Sequence, residues 1–372
     1  MPELLNVPFL GADREFADIG PDILSAVETV FRSGRMLNGD PIERLERELA
    51  ELSGRRYGRV VNSGTDALYF ALVAAGVGEG DEVLVTDFSF VATVDAIIRA
   101  AATPVFVDVT DDYSIDLDLA AEAVTVRTKA LVFVELYGRM TEPEAVEALA
   151  QHHGIVLVED AAQSFGAAVG GRRSGSVGVA SCHSFDPMKV IAAPGRGGVV
   201  LTDDATIAEH VEQLRRWGFS QNNFVRLGYN AQMSCLEAAV IAVKLRHEER
   251  WLRRRRGIAS TYSAAFSDLA CDVPYHGEWR ENIFHKYVLR AAKRDDLAAG
   301  LNAVGIETNM HYPYVLHELP FIKKYPHKVI TRGRAKRLAE EVISLPIHPY
   351  LTDHEVDHVV TNVRRLLGVT AR

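Results

Sequence analysis

Cysteine is scarce in this chain: three thiols, Cys182, Cys235 and Cys271, in 372 residues. An odd, widely spaced set supplies neither a disulfide framework nor paired zinc ligands, so no metal is expected and a reducing compartment is. Basic charge is not in excess either. With 41 Lys and Arg against 50 Asp and Glu the net charge is -9, which argues against a nucleic-acid-binding surface but leaves room for a local basic pocket around a phosphorylated small molecule. Long hydrophobic runs are missing. The longest, 67–77, is too short to span a bilayer, and the opening MPELLNVPFLGADREF carries acids where a secretory leader needs bases. The expectation is a cytoplasmic protein with no membrane or nucleic-acid partner. Neither GxGxxG nor GxxxxGK[ST] occurs, which removes the usual support for nicotinamide-dinucleotide and nucleoside-triphosphate chemistry.

What is present is ordinary globular material, 48% hydrophobic and 24% charged, long enough for two lobes. Seven short runs rich in Val and Ile read as strands: RVV (59–61), EVLVTD (82–87), PVFVDV (104–109), ALVFVEL (130–136), IVLVED (155–160), SCHSF (181–185) and GGVVLT (197–202). Helix-period segments at 65–75, 91–101 and 142–152 lie between them, the alternation expected of a mainly parallel sheet covered on both faces. From Ser234 a helical pattern runs for about thirty residues with few breakers and reads as a connection between lobes. The expected division is a large domain over 1–248 and a smaller α+β domain over 249–372, the latter holding HKYVLRA and helices from Arg294 and Arg332. The run Arg253 to Arg256 points around several helix faces and reads as solvated charge.

Three places carry chemistry. Asn62-Ser63-Gly64-Thr65-Asp66 follows a strand and opens a helix, so free backbone N–H groups and two hydroxyls gather where a phosphate is favoured; the same residues equally describe an ordinary N-cap made by Ser63 or Thr65. Glu159 and Asp160 end an apolar strand at the sheet edge where open α/β folds bind ligands. A buried carboxylate there can keep a pyridine nitrogen protonated, or merely cap the following turn. Lys189 lies 29 positions after Asp160, in SCHSFDPMKVIAAPGRGG. A lysine in a cleft has a lowered amine pKa and can form a Schiff base, whereas an isolated lysine is usually a solvated surface charge.

The ordered set NSGTDAL, SFVAT, EDAAQSFGA, SFDPMK, GYNAQM and HYP resembles the DegT-type (DegT/DnrJ/StrS) sugar aminotransferases, fold-type-I enzymes dependent on pyridoxal phosphate, over about residues 8–367. The resemblance implies that Lys189 forms the Schiff base with the cofactor, Asp160 pairs with its pyridine nitrogen and Gln163 reaches its ring hydroxyl. It further implies that Gly64, Thr65 and Ser184 hold the phosphate, that Phe90 stacks on the ring, and that Asn230 reaches the phosphate of a neighbouring subunit in a homodimer. Without it, Phe90 would read as a core aromatic and Asn230 as a turn residue. His285, Lys286, His311, Tyr312, Tyr314 and His317 are the substrate contacts implied by family position. The chain departs from the family's usual residues at Asp186, Met188, Val190, Arg196 and Gln232, which bears on substrate identity and on phosphate or inter-subunit contacts.

The activity implied is transfer of an amino group from L-glutamate to a keto group of a nucleotide-linked sugar, the cofactor cycling through pyridoxamine phosphate. Transamination of a keto-cyclitol or another small carbonyl compound, and a non-catalytic cofactor-binding regulator, are the alternatives. Family members that use the cofactor for sugar dehydration lack the lysine, so Lys189 argues against that reading.

Overall fold

The computed structural model describes residues 5–274 and 281–368. The chain opens with helices α1 (Ala12–Ser33) and α2 (Asp40–Ser53), then alternates β1 (Tyr57–Val61), α3 (Gly64–Ala74), β2 (Glu82–Thr86), α4 (Ala92–Arg99), β3 (Thr103–Val107), α5 (Leu117–Ala123), β4 (Thr128–Val134), α6 (Pro143–His153) and β5 (Val156–Asp160). A two-residue hairpin pair, β6 (Ala168–Val169) and β7 (Arg172–Arg173), precedes β8 (Ala180–Ser184) and β9 (Gly198–Thr202). After α7 (Ala205–Arg215) an exposed hairpin, β10 (Phe219–Ser220) and β11 (Asn223–Phe224), leads to α8 (Cys235–Leu245) and α9 (Glu248–Phe266). The remainder is β12 (Tyr287–Arg290), α10 (Arg294–Asn302), β13 (Lys328–Ile330), α11 (Arg334–Glu341), β14 (Val342–Leu345) and α12 (Asp353–Leu367).

All seven expected strands form and lie in one sheet, ordered β1-β9-β8-β5-β4-β2-β3-β13. Only β9 runs against its neighbours, pairing antiparallel with both β1 and β8, while the other neighbouring pairs are parallel. Every residue of β2 is buried, as helices on both faces require of a parallel strand. The eighth strand, β13, is an addition from the C-terminal part of the chain. It pairs with β3 through Lys328, Val329 and Ile330, and Lys328 Nζ lies 2.7 Å from buried Glu82. Three residues of half-buried strand are too short a pattern to recognise in a sequence.

The long helical pattern from Ser234 is two helices, with a break at Arg246 and His247. No Gly or Pro marks it. His247 N bonds Lys244 O at 2.9 Å, tightening the last turn, and the break re-aims the apolar stripe: Val243 and Leu245 join the core under α1 and α2, whereas Ile258, Tyr262 and Phe266 pack with β12, β14 and α12. That second core also takes Val7, whose N–H bonds Gly305 O at 2.7 Å.

The arginine run is a correction. Arg253 alone is exposed. Arg255 is buried and donates to the carbonyls of Phe284, His285 and Ile347 at 3.1, 3.4 and 2.8 Å; Arg254 binds Leu351 O and Asp353, and Arg256 binds Asn282 O. These carbonyls lie outside the named helices and strands, so their acceptors need other donors, a demand invisible in the sequence. Among the described residues no helix is long and apolar enough to cross a membrane.

Candidate active site

The parallel strands deliver their C-terminal ends to one edge of the sheet, so the loops after β1, β2, β4, β5 and β8 converge there. At the end of β1, Ser63 adopts extended backbone and its Oγ accepts from Asp66 N at 3.1 Å, capping α3. The capping reading therefore belongs to Ser63, and it frees Thr65, whose hydroxyl has no protein partner among the described residues. Gly64 is forced by contact: a Cβ there would lie 2.7 Å from Ser184 Cβ. The turn and the end of β8 thus abut, and Gly64, Thr65 and Ser184 are brought together at a helix N-terminus.

Glu159 and Asp160 are both buried at the end of β5 but serve different ends. Glu159 accepts from Gly175 N and Val177 N at 2.9 and 3.0 Å, fixing the turn after β7. Asp160 accepts from Thr93 Oγ1 at 2.8 Å and Ala162 N at 3.2 Å and has no ion-pair partner among the described residues. Burial pushes its carboxyl up, against the Thr93 and Ala162 bonds and the charge of Lys189. Lys189 follows a turn in which its N–H bonds Asp186 O at 2.8 Å. Protein crowds its amine and lowers its pKa, opposed by the charges of Asp160 and Asp186. A carboxylate short of a cation and a lysine eased toward its neutral form therefore face one cleft.

The remaining walls come from further along the chain. Gln163 is buried, accepts from Tyr137 N at 3.0 Å and donates to Tyr312 Oη at 3.2 Å. Phe90 is 48% exposed, which excludes the core reading, and its ring lies 5.7 Å from that of Tyr312, itself stacked on Tyr314 at 5.7 Å. Tyr137 Oη donates to the carbonyl of His311. Gly138 holds φ +97, and a Cβ there would meet His285 N at 2.8 Å, so only glycine lets the 281–286 segment lie against the β4 turn. That packing places His285 and Lys286 beside the cleft; both are buried, as is His311, and the charge of Lys189 reaches all three.

Two expected residues stand apart from this cluster. His317 is taken up by Asp87, which accepts from its Nδ1 at 2.6 Å and its backbone N at 3.0 Å. Asn230 is exposed beyond the β10–β11 hairpin, bridged to Arg216. Among the departures, Gln232 donates to Asn38 Oδ1 at 2.6 Å, Asp186 accepts from Met188 N at 3.1 Å, Val190 is buried in the core, and Arg196 is exposed. Thr93 lies within SFVAT and is open to recognition from the sequence; Tyr137, in the short turn Leu136–Gly138 after β4, carries no local signal.

These residues fit a pyridoxal phosphate group: an unpaired buried carboxylate for a cationic ring nitrogen, an amine for the aldehyde, a free hydroxyl and a helix N-terminus for the phosphate, and a half-exposed aromatic ring beside them. Comparison with known proteins points the same way. Residues 17–364 match the DegT/DnrJ/EryC1/StrS aminotransferase family. A "Pleiotropic regulatory protein" of Geobacillus stearothermophilus is 38% identical, over 96% of this chain and 98% of that one. The dTDP-3-amino-3,4,6-trideoxy-alpha-D-glucose transaminase of Streptomyces venezuelae is 35% identical over 97% and 96%. The crystal structure of S. venezuelae DesV in complex with a ketimine intermediate superimposes with a TM-score of 0.94 at 34% identity, covering 98% of this chain and 100% of that one. The structure of ntda from Bacillus subtilis with bound cofactor PMP gives 0.91 at 27%, covering 98% and 86%.

Proposed function

The chain belongs to the DegT/DnrJ/EryC1/StrS aminotransferase family, and from that premise we propose that it moves an amino group from L-glutamate to a keto group of a nucleotide-linked sugar, with pyridoxal phosphate as cofactor. The observation that carries this reading is Asp160, a buried carboxylate held by Thr93 and lacking a cationic partner, set in the same cleft as the Lys189 amine. The relatives named for dTDP- and UDP-sugar amination support the substrate class.

When bound, the cofactor supplies a carbonyl carbon that amines attack and a cationic ring that accepts electron density. Asp160 would hold the proton on the ring nitrogen, and Thr93 orients Asp160. Gln163, fixed by Tyr137 N, would offer its amide to the ring hydroxyl. Gly64, Thr65 and Ser184 would bind the phosphate through backbone N–H groups and hydroxyls. Phe90 and Tyr312 exclude water from one side. Nζ of Lys189, eased toward its neutral form by burial, would take the proton from the donor's amine-bearing carbon and pass it on within the same half-reaction, and in the second half would deliver a proton to the carbon that receives the amine. One base thus serves donor and acceptor in turn.

The enzyme works in the cytoplasm as a homodimer. The exposed apolar side chains Phe16, Leu24 and Phe31 on α1, with Phe224, Val225 and Leu227 around the β10–β11 hairpin, supply a face for a second copy, and Asn230 beside that hairpin reaches the partner's phosphate site. His285, His311, Tyr312 and Tyr314 line the substrate side, whereas His317 is held by Asp87 away from it.

The test is the visible spectrum of protein reconstituted with pyridoxal phosphate, before and after L-glutamate alone. Reduction by borohydride fixes the cofactor to Lys189, and glutamate converts the band to that of pyridoxamine phosphate. A cofactor found on no lysine, or on another one, refutes the assignment. A cofactor fixed to Lys189 that no amino donor converts favours a regulatory role, the reading motivated by the name of the Geobacillus relative.

A further inference from the structure

Lys286 sits at the foot of β12 with its backbone N–H bonded to Tyr137 O at 3.2 Å. Its side chain is only 6% exposed, and its ammonium lies 5.0 Å from the centroid of the Phe9 ring. Among the described residues it forms no hydrogen bond or ion pair to a carboxylate. The charges around it are Arg255 and Lys189, both positive, with Asp186 as the lesser, opposing one. His285 beside it is buried with Nδ1 unpartnered, and His311, stacked on Phe9 at 5.9 Å, has its Nδ1 occupied by Ser344 Oγ at 2.8 Å. Burial and the neighbouring cations bring the Lys286 amine down to about 7.

A cation enclosed without a counter-charge is costly, and packing alone would be served better by an apolar side chain. The charge of Lys189 reaches this enclosure. Any α-amino acid that presents its amine to the Lys189 cleft carries a carboxylate on the same carbon, one bond from the reacting centre, so an anion must be accommodated close to Lys189. Phe9 supplies a ring face that steers the ammonium without neutralising it.

We infer that Lys286 is the carboxylate-binding residue of the substrate site, pairing with a carboxylate of the compound that reacts beside Lys189. This rests on the aminotransferase reading above. The carboxylate has two sources, the α-carboxylate of the amino donor or a carboxylate on the keto-sugar, and the test separates them.

Lys286→Met and Lys286→Gln are compared with the parent as cofactor-loaded protein. The first arm titrates α-methyl-L-glutamate, which binds as a donor but has no α-proton to lose, by its change in absorbance. The second titrates the pyridoxamine form with a nucleotide keto-uronate and with its 6-deoxy counterpart. A charged hydrogen bond of this kind corresponds to roughly ten- to hundredfold in affinity. Loss of that size in the first arm identifies the donor's carboxylate. Loss confined to the uronate identifies the sugar's. The turnover number at saturation changes less than the Michaelis constant in either case. Should both variants fail to fold, lysine-selective NMR of the parent decides: Lys286 moves from about 7 toward the ordinary lysine value when the ligand binds. Variants that load cofactor on Lys189 and bind every ligand as the parent does, or a Lys286 signal that ignores ligand, overturn the inference while leaving the aminotransferase reading intact. Failure of the parent to load cofactor on Lys189 instead defeats that underlying reading.

Discussion

Replacing Thr93 by valine tests the electrostatic core of the site without touching Lys189. The two side chains have nearly the same shape, and the hydroxyl removed is buried and donates to Asp160 Oδ2 at 2.8 Å. A hydrogen bond to a charged acceptor contributes about 1.5–3 kcal/mol, and one to a neutral acceptor about 0.5–1.5. The Asp160 carboxyl is already raised by burial; without Thr93 it rises further, since the lost bond favoured the charged form. A group whose folded pKa is raised lowers stability as pH climbs from its unfolded value through its folded one. The penalty of Thr93→Val is therefore largest where Asp160 is ionised in the parent and smallest where it is protonated. Urea unfolding of the cofactor-free protein should show a deficit of about 1.5–3 kcal/mol at pH 8, shrinking as pH is lowered toward the ordinary carboxylate range. Thr93→Ser should recover most of it. In the loaded protein, a loss of that size appears as roughly ten- to hundredfold weaker retention of pyridoxal phosphate, read by equilibrium dialysis. A deficit independent of pH would mean that Thr93 contributes packing alone and that its hydroxyl does not hold the Asp160 charge.

Lys189→Ala should abolish amino transfer and borohydride fixation while leaving the circular dichroism spectrum unchanged; near-normal turnover would remove Lys189 from the chemistry. Gly64→Ala places a methyl 2.7 Å from Ser184 Cβ, and the backbone shift it forces should weaken cofactor binding by about tenfold or more, measured by fluorescence quenching. Arg255→Leu strands carbonyls of Phe284, His285 and Ile347 and should cost about 3 kcal/mol of unfolding free energy, whereas Arg253→Ala stays within about 0.5. Burial alone would raise the Glu355 carboxyl, but bonds from Arg14 and Thr352 bring it down to about 2. Its stabilisation is thus present above the unfolded carboxylate value and lost as pH falls toward 2, and Glu355→Gln should flatten that acid limb in a pH series of melting curves.

Much of this was legible because the sheet is built from local pattern. A buried parallel strand must be apolar along its length, so each of the seven appeared as a Val- and Ile-rich run, and the loops after them carry their chemistry in short motifs. What escaped depends on partners far away in sequence. The break after α8 has no Gly or Pro because it is set by two cores pulling on one apolar stripe. Arg255 looks like its exposed neighbour Arg253 until the carbonyls it satisfies are seen. Tyr137 matters through its backbone N–H, which every residue but proline possesses. Asp87 and His317 are 230 positions apart, and nothing local in either announces the pairing that takes His317 away from the cleft cluster.

The β3–β13 pairing bears on how the protein is made. Edge strands left open template association with other chains, and β3 is an edge until residues 328–330 arrive. On the ribosome, the sheet therefore emerges with one flank unprotected for more than two hundred residues of synthesis. Val7 likewise waits for Gly305 and Ile306, so Phe9 cannot take its place over Lys286 until the chain past residue 306 exists. A nascent chain halted near residue 250 would hold Asp160 and Lys189 but neither the guarded flank nor the finished cleft, and a stall there should leave a fragment prone to aggregation and unable to turn over substrate.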